Sequence, residues 1–306
     1  MPSPQPAGAP PNMPPRRWVS IHAIEQATPR VVRLRLRGDD LEGFEIPAPG
    51  AHVKLVLPPP GEARPAVPLR YEERRAVFED GVTPPFLRTY TPSRFDPELL
   101  ELEVELLLHG DGRASNWVRT VKPGDEIMVA GPRGGWTVPQ DGDWYLVAAD
   151  DTAIPAARQV LAELPAKPAL VAFEVVDEAE QRPVEGAAAA TWLFRGQDAA
   201  KAGKPLDAFV RSLELPPGRG YAWIACEAGA MRRIRRHLIE DRGMTPEQLV
   251  TRGYWKLGSP AHPDCASWSW DCCSVTCRRN RAISACTPLL SRPSPGLLSR
   301  TEAPRS

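Results

Sequence analysis

The hydrophobic pattern of this chain changes period near Asp141, and that change limits the possible folds more than any single residue does. Upstream of it, apolar and charged residues alternate. In Val31-Val32-Arg33-Leu34-Arg35-Leu36-Arg37, basic residues take every second place. From Glu101 to Leu108, Leu102, Val104, Leu106 and Leu108 alternate with Glu101, Glu103 and Glu105. Successive side chains of a strand point to opposite faces, so both segments read as strands with one dry and one wet face. Ala51 to Leu57 is a further strand, stopped by Pro58-Pro59-Pro60, and the proline-rich, charged text up to about Phe86 reads as a long loop. Pro123-Gly124-Asp125 is a turn, and Glu126 to Ala130 follows as a strand. Many short strands at this spacing predict a barrel or sandwich.

Downstream, Trp144-Tyr145-Leu146-Val147-Ala148-Ala149 is continuously apolar, as in a strand buried on both faces. The loop Asp150-Asp151-Thr152 leads to a helix whose stripe is Ile154, Ala157, Leu161 and Leu164, with Pro155 harmless in its first turn. Strands are predicted at Ala169 to Val176, Thr191 to Phe194 and Tyr221 to Cys226. Helices are predicted at Asp207 to Leu213 and Ala230 to Asp241, the latter ended by Gly243. Strands alternating with helices specify a parallel sheet covered by helices. The expected organisation is a disordered proline-rich leader at 1–15, an all-β barrel domain at 16–139, an α/β parallel-sheet domain at 140–264 and an atypical tail at 265–306.

Lys plus Arg equals Asp plus Glu at 38 each, so no overall field argues for nucleic acid or a membrane surface. No apolar run approaches the roughly 20 residues a membrane helix needs. The leader lacks the charged and apolar regions of a secretory signal, so the cytoplasm is the expected location. Cys265, Cys272, Cys273, Cys277 and Cys286 crowd into the tail at spacings that match no zinc or redox pattern, and no metal site is expected. With Trp268 and Trp270 set among Ser and Cys without period, the tail reads as unfolded text or a shifted reading frame and receives no function.

Chemistry concentrates in Arg88-Thr89-Tyr90-Thr91-Pro92-Ser93-Arg94. In a strand, Arg88 and Tyr90 project to one side and Thr89 and Thr91 to the other. Arginine offers a flat fork for a phosphate, tyrosine a ring face for stacking, and threonine a small donor-acceptor for a ring heteroatom. These are the groups a flavin needs, although a plain half-buried strand has the same text. About twenty residues on, His109-Gly110-Asp111-Gly112-Arg113-Ala114-Ser115-Asn116-Trp117 is a strand end, a glycine turn and a helix start. Free N–H groups at such a start attract a diphosphate, and a plain turn is the alternative.

In order and spacing these strings resemble the siderophore-interacting protein family, flavin-dependent ferric-siderophore reductases of the ferredoxin-reductase superfamily. The matching text is R-T-Y-T at 88–91, H-G-D-G-R-A-S-N-W at 109–117, G-P-R-G at 131–134, A-D-D-T-A-I-P-A at 149–156, G-Y-W-K-L-G at 253–258 and H-P-D at 262–264. The resemblance covers residues 16–264. It implies an FAD-binding barrel of ferredoxin-reductase type followed by an NAD(P)H-binding-like α/β domain. It also implies that Tyr90 stacks on the isoalloxazine, Arg88 meets the flavin phosphate, Thr89 serves the ring, and Thr91 faces the hydride-accepting nitrogen. Gly112, Ala114 and Ser115 would hold the pyrophosphate of FAD, with His109 close by.

NAD(P)H is the implied electron donor, with ferredoxin as the alternative. Its turn at Asp150-Asp151-Thr152 lacks the glycine-rich fingerprint, and the Asp151 carboxylate would repel a pyrophosphate. The nicotinamide is therefore expected to approach loosely, past Asp151 and Thr152 and the Cys226-Glu227-Ala228-Gly229 turn. Arg232, Arg233, Arg235 and Arg236 on the next helix are either a clamp for NADPH or a solvated face with Met231, Ile234 and Leu238 turned inward. Trp255 either covers the flavin's other face or packs under the last helix. Many ferric siderophores are anionic, so a basic mouth is expected, with Lys54, Arg133 and Lys256 as its candidates. The implied partner is a ferric siderophore, received as the electron acceptor, and the protein is expected to be a monomer. The rival readings are a reductase for a protein redox partner and a non-catalytic siderophore carrier.

Overall fold

The upstream strands form a seven-stranded antiparallel sheet in the computed structural model, which describes residues 7, 9, 13–73, 75–110, 112–186 and 189–259. The expectations for the Cys-rich tail and for most of the leader lie outside these residues. The strands of this half, of which β4 and β5 lie outside that sheet, are β1 (Arg16–Thr28), β2 (Val31–Arg37), β3 (His52–Leu57), β4 (Arg70–Glu72), β5 (Arg75–Val77), β6 (Phe86–Tyr90), β7 (Pro92–Asp96), β8 (Glu101–Leu107) and β9 (Glu126–Arg133), with helix α1 (Arg113–Val118) between the last two. The sheet order is β6-β3-β9-β1-β2-β8-β7. Its end strands β6 and β7 are consecutive, separated by Thr91 alone, and are not paired with each other. The result is barrel-like and unclosed. The alternating apolar residues fill it: Leu34, Leu36, Leu55, Leu102 and Val104 are fully buried in one cluster. β4 and β5 pair as a small hairpin inside the segment expected to be loop, a feature that short, charged strands do not advertise. From the leader, Ala7 accepts a bond from the Tyr71 N–H at 2.8 Å, and Met13 is buried.

The second half contains β10 (Trp144–Asp150), α2 (Ile154–Ala162), β11 (Ala169–Val175), β12 (Thr191–Phe194), α3 (Lys204–Ser212), β13 (Gly220–Glu227), α4 (Ala228–Glu240) and β14 (Leu249–Trp255). Its five strands are parallel in the order β12-β11-β10-β13-β14. Every residue of β10 is buried, as its unbroken apolar run requires of a central strand. The order reverses direction between β10 and β13, and in open α/β sheets ligands sit at the carboxyl ends of the strands at such a point. β14 is a strand that the sequence reading missed.

Glu105 corrects the expectation of a uniformly wet face on β8. Its carboxylate is buried among Arg33 at 3.1 Å, Arg158 of α2 at 2.7 Å and Arg182 at 3.2 Å. Thr28 donates to Glu180 at 2.5 Å beside it. Gln159 of α2 adds a second tie, accepting from the Gly50 N–H at 2.8 Å and donating to the Pro92 carbonyl at 2.5 Å. The α/β layer thus grips the barrel strand directly after Thr91.

Candidate functional site

The register of β3 against β6 sorts the side chains of the Arg88 segment. Leu55 lies opposite Arg88 and Val53 opposite Tyr90, while Lys54 lies opposite Thr89. Arg88 and Tyr90 therefore share the face of the barrel core, and Tyr90 packs half-buried against it. Thr89 and Lys54 share the other face. The guanidinium of Arg88 lies over the Phe86 ring at 5.4 Å, and that of Arg113 lies over the same ring at 4.5 Å. Two arginine forks thus stand together beside the first turn of α1, whose N–H groups have no partner within the helix. Arg113 lies inside the recognised string, but its place beside Arg88 depends on a Phe86 contact that spacing does not reveal.

Gly112 gives α1 its tight entry, since a Cβ there would come within 3.1 Å of the His109 ring. The Ser115 hydroxyl accepts from the His109 N–H at 3.1 Å and donates to the His109 carbonyl at 3.3 Å, which locks the loop. Ala114 is buried behind it. Burial pushes the His109 imidazole down, Arg30 and Arg88 add to this, and Asp151 opposes it. Arg88, His109 and Asp151, far apart in sequence, therefore share one electrostatic neighbourhood.

The acidic turn draws its partners from within the chain, except that one Asp151 oxygen is buried without a hydrogen bond among the described residues. Asp150 accepts from the Thr152 N–H at 3.0 Å, the Thr152 hydroxyl at 2.5 Å and the Trp255 indole N–H at 2.7 Å. Burial, reinforced by Asp151, pushes the Asp150 carboxyl up to about 7. Asp151 is held by Arg195 at 2.5 Å. Trp255 is thus anchored across the switch point by the end of β10. Glu227 caps α4 by accepting from the Ala230 N–H at 2.8 Å, and the Cys226 thiol is buried and pushed well up by burial. On α4, Ile234 and Leu238 are buried, Arg232 and Arg236 are exposed, and Arg233 pairs with Asp207 at 2.7 Å. The helix thus turns Ile234 and Leu238 inward and leaves Arg232 and Arg236 to solvent, an arrangement compatible with either reading of the arginine run.

At the other rim, His52 lies opposite Arg133 across β3 and β9. Burial, then Lys54, Arg252 and Arg133, push the His52 imidazole down to about 4. The structure brings Lys54 and Arg133 together, with Arg252 of β14 beside them. Lys256 forms a bridge with Ser259 just beyond β14.

The residues fit a flavin. The Thr89 and Ser93 hydroxyls, two buried oxygens flanking Thr91, have no hydrogen-bond partner, and Thr91 itself is buried. A buried hydroxyl without a partner among the described residues is costly, and one on each of β6 and β7, on either side of Thr91, suits an incoming group rich in heteroatoms.

A barrel-like antiparallel sheet followed by this parallel sheet is the two-domain fold of ferredoxin-reductase-type flavoproteins. Phthalate dioxygenase reductase shares it with a TM-score of 0.54 at 13% identity, over 81% of this chain and 70% of that one. Within that class the chain belongs to the siderophore-interacting protein family: the siderophore-interacting FAD-binding domain matches residues 20–136 and the siderophore-interacting protein domain residues 142–258. The crystal structure of a siderophore utilization protein from T. fusca is similar with a TM-score of 0.69 at 33% identity, covering 80% of this chain and 94% of that one. The NADPH-dependent ferric-chelate reductase of Escherichia coli (strain K12) is 29% identical over 245 residues, which is 78% of this chain and 92% of that protein.

Proposed function

We propose that this chain is a flavin-dependent reductase that takes electrons from NAD(P)H and delivers them to Fe(III) held in a siderophore. The observation that carries the reading is the meeting of Arg88 and Arg113 over the Phe86 ring beside the entry of α1, with Tyr90 on the same face of β6 as Arg88. FAD, when bound, accepts a hydride and releases electrons singly, chemistry that side chains do not provide. Arg88 and Arg113 neutralise its phosphates, and the first-turn N–H groups of α1 at Gly112 to Ser115 assist them. Tyr90 offers its ring face, and Thr89 and Thr91 bond the ring edge. Thr152 and Trp255, both fastened to Asp150, shape the approach of the nicotinamide. The acidic turn holds no spare cation for a pyrophosphate, which supports a loosely bound donor.

Lys54, Arg133 and Lys256 receive the ferric chelate. Hard oxygen ligands hold Fe(III) tightly and Fe(II) weakly, so reduction releases the metal without a protein iron ligand. NAD(P)H is a cytoplasmic metabolite, and on that ground we assign the protein to the cytoplasm. The barrel and the α/β half divide the work near residues 139 and 140.

The test is anaerobic stopped-flow spectroscopy. NADPH should bleach the flavin absorbance, and a ferric siderophore should restore it while an Fe(II)-trapping chelator colours. Flavin that stays reduced in the presence of the ferric chelate would exclude the proposed acceptor.

A further inference from the structure

Arg182, in the connection between β11 and β12, is buried and reaches both the barrel and the acidic turn at the end of β10. Its Nη2 donates to the Asp151 carbonyl at 3.2 Å, and its Nη1 donates to the Glu180 carbonyl at 3.5 Å. Its Nε stands 3.2 Å from the Glu105 carboxylate on β8, as an ion pair and not as an aligned hydrogen bond. Glu105 is fixed in turn by Arg33 of β2 and Arg158 of α2. The turn itself is stiff. The Asp150 carboxylate accepts from Thr152 and Trp255, and its carbonyl accepts from the Ala153 N–H at 3.0 Å. Arg195, just past β12, holds the Asp151 carboxylate. Gln159, Arg158 and Glu180 tie α2 and the connection to the barrel, whereas Arg182 adds a bond to the turn.

We infer that Arg182 is a positioning residue for hydride transfer: it fastens the Asp150–Thr152 turn to barrel strand β8, so that the nicotinamide meets the flavin edge in a reactive geometry. The inference rests on the flavin and NAD(P)H reading above and goes beyond it by naming the side chain that sets this alignment. Reaction between two bound groups falls steeply with misplacement, by about a hundredfold for about 1 Å. A rigid turn passes its own displacement on to whatever it guides, so its attachment to the barrel matters as much as its internal bonds. A planar fork suits the task, because it faces a carboxylate and two carbonyls at once in fixed directions. An ammonium in its place neutralises Glu105 without fixing those directions.

The experiment separates the two half-reactions of the FAD-loaded full chain by anaerobic stopped-flow absorbance. Saturating NADPH reports hydride transfer. Protein reduced beforehand with one equivalent of dithionite and mixed with a ferric tris-catecholate reports electron delivery. Arg182→Lys should slow hydride transfer about tenfold, with FAD content, the NADPH concentration for half-saturation and the acceptor step unchanged. Arg182→Met should slow hydride transfer at least as much. Thr28→Val removes the neighbouring tie to the Glu180 carboxylate without touching the turn, and it should leave both half-reactions as in the parent. Should Arg182→Met fail to fold, the Arg182→Lys and Thr28→Val pair decides. An unchanged hydride rate in Arg182→Lys, equal slowing of both half-reactions, or the same slowing in Thr28→Val would overturn the positioning role. A parent protein whose bound flavin NADPH does not reduce would overturn the donor reading, and the role with it.

Discussion

Asp150 shows how a single buried group can govern the site. Its two oxygens organise Thr152 and Trp255, yet it is surrounded by protein and faces Asp151, so its carboxyl is raised from 3.8 to about 7. A carboxyl raised on folding means that the native state holds the proton more tightly than the unfolded chain does. Its contribution to stability is therefore complete below 3.8 and is lost as pH rises through about 7. Replacing Asp150 by Asn, which keeps the shape and cannot ionise, should remove that part of the alkaline decline. The check is the difference in urea midpoint between the two proteins across this window. Parallel curves would mean that Asp150 is ionised throughout. The sequence identified the acidic turn but not this behaviour, because the burial that raises the carboxyl is set by packing from distant segments, whereas the bonds from Thr152 and Trp255 oppose the rise.

Among the elements, β8 shows where periodicity succeeds and where it stops. Leu102, Val104 and Leu106 form the core face, as their alternation predicts. The same alternation assigns Glu105 to water, but α2 and the segment carrying Arg182 pack over that position. Burial pushes the Glu105 carboxyl up, and Arg182 and Arg158 more than reverse this, holding it below the usual carboxylate range. Period reports which face a residue takes, not what later covers that face. Replacing Glu105 by Ala leaves Arg182 buried without its partner, a change that costs about 3–5 kcal/mol when one member of a buried pair is removed. Chemical unfolding measures it, and a loss under about 0.5 kcal/mol, the range of ordinary surface substitutions, would contradict the clasp. The missed strand β14 has a related cause. Leu249 to Trp255 mixes apolar and polar residues around Gly253, and it becomes a strand because β13 offers it a paired edge.

At the scale of the whole molecule, the change of hydrophobic period near Asp141 was enough to give a β half followed by an α/β half. The strings at 88–91 and 109–117 lie in β6 and at the entry of α1, the elements to which the proposed cofactor edge is assigned. What lay beyond reach were contacts across the fold: Arg113 beside Arg88 through Phe86, Gln159 between Gly50 and Pro92, and Arg252 at the His52 rim. Each depends on packing between segments whose local text carries no sign of the other.

The central claim is that the Arg88–Tyr90 edge of an unclosed barrel seats FAD. Titrating FAD into flavin-free protein, followed by the loss of flavin fluorescence, tests it most directly. The unaltered chain should bind one FAD with quenched emission. Arg88→Ala should weaken binding at least tenfold, the range for a charged bond to phosphate, and Tyr90→Leu should leave the bound flavin brighter. An Arg88→Ala, Tyr90→Leu double variant that binds and quenches FAD as the parent does would place the cofactor elsewhere and contradict the account.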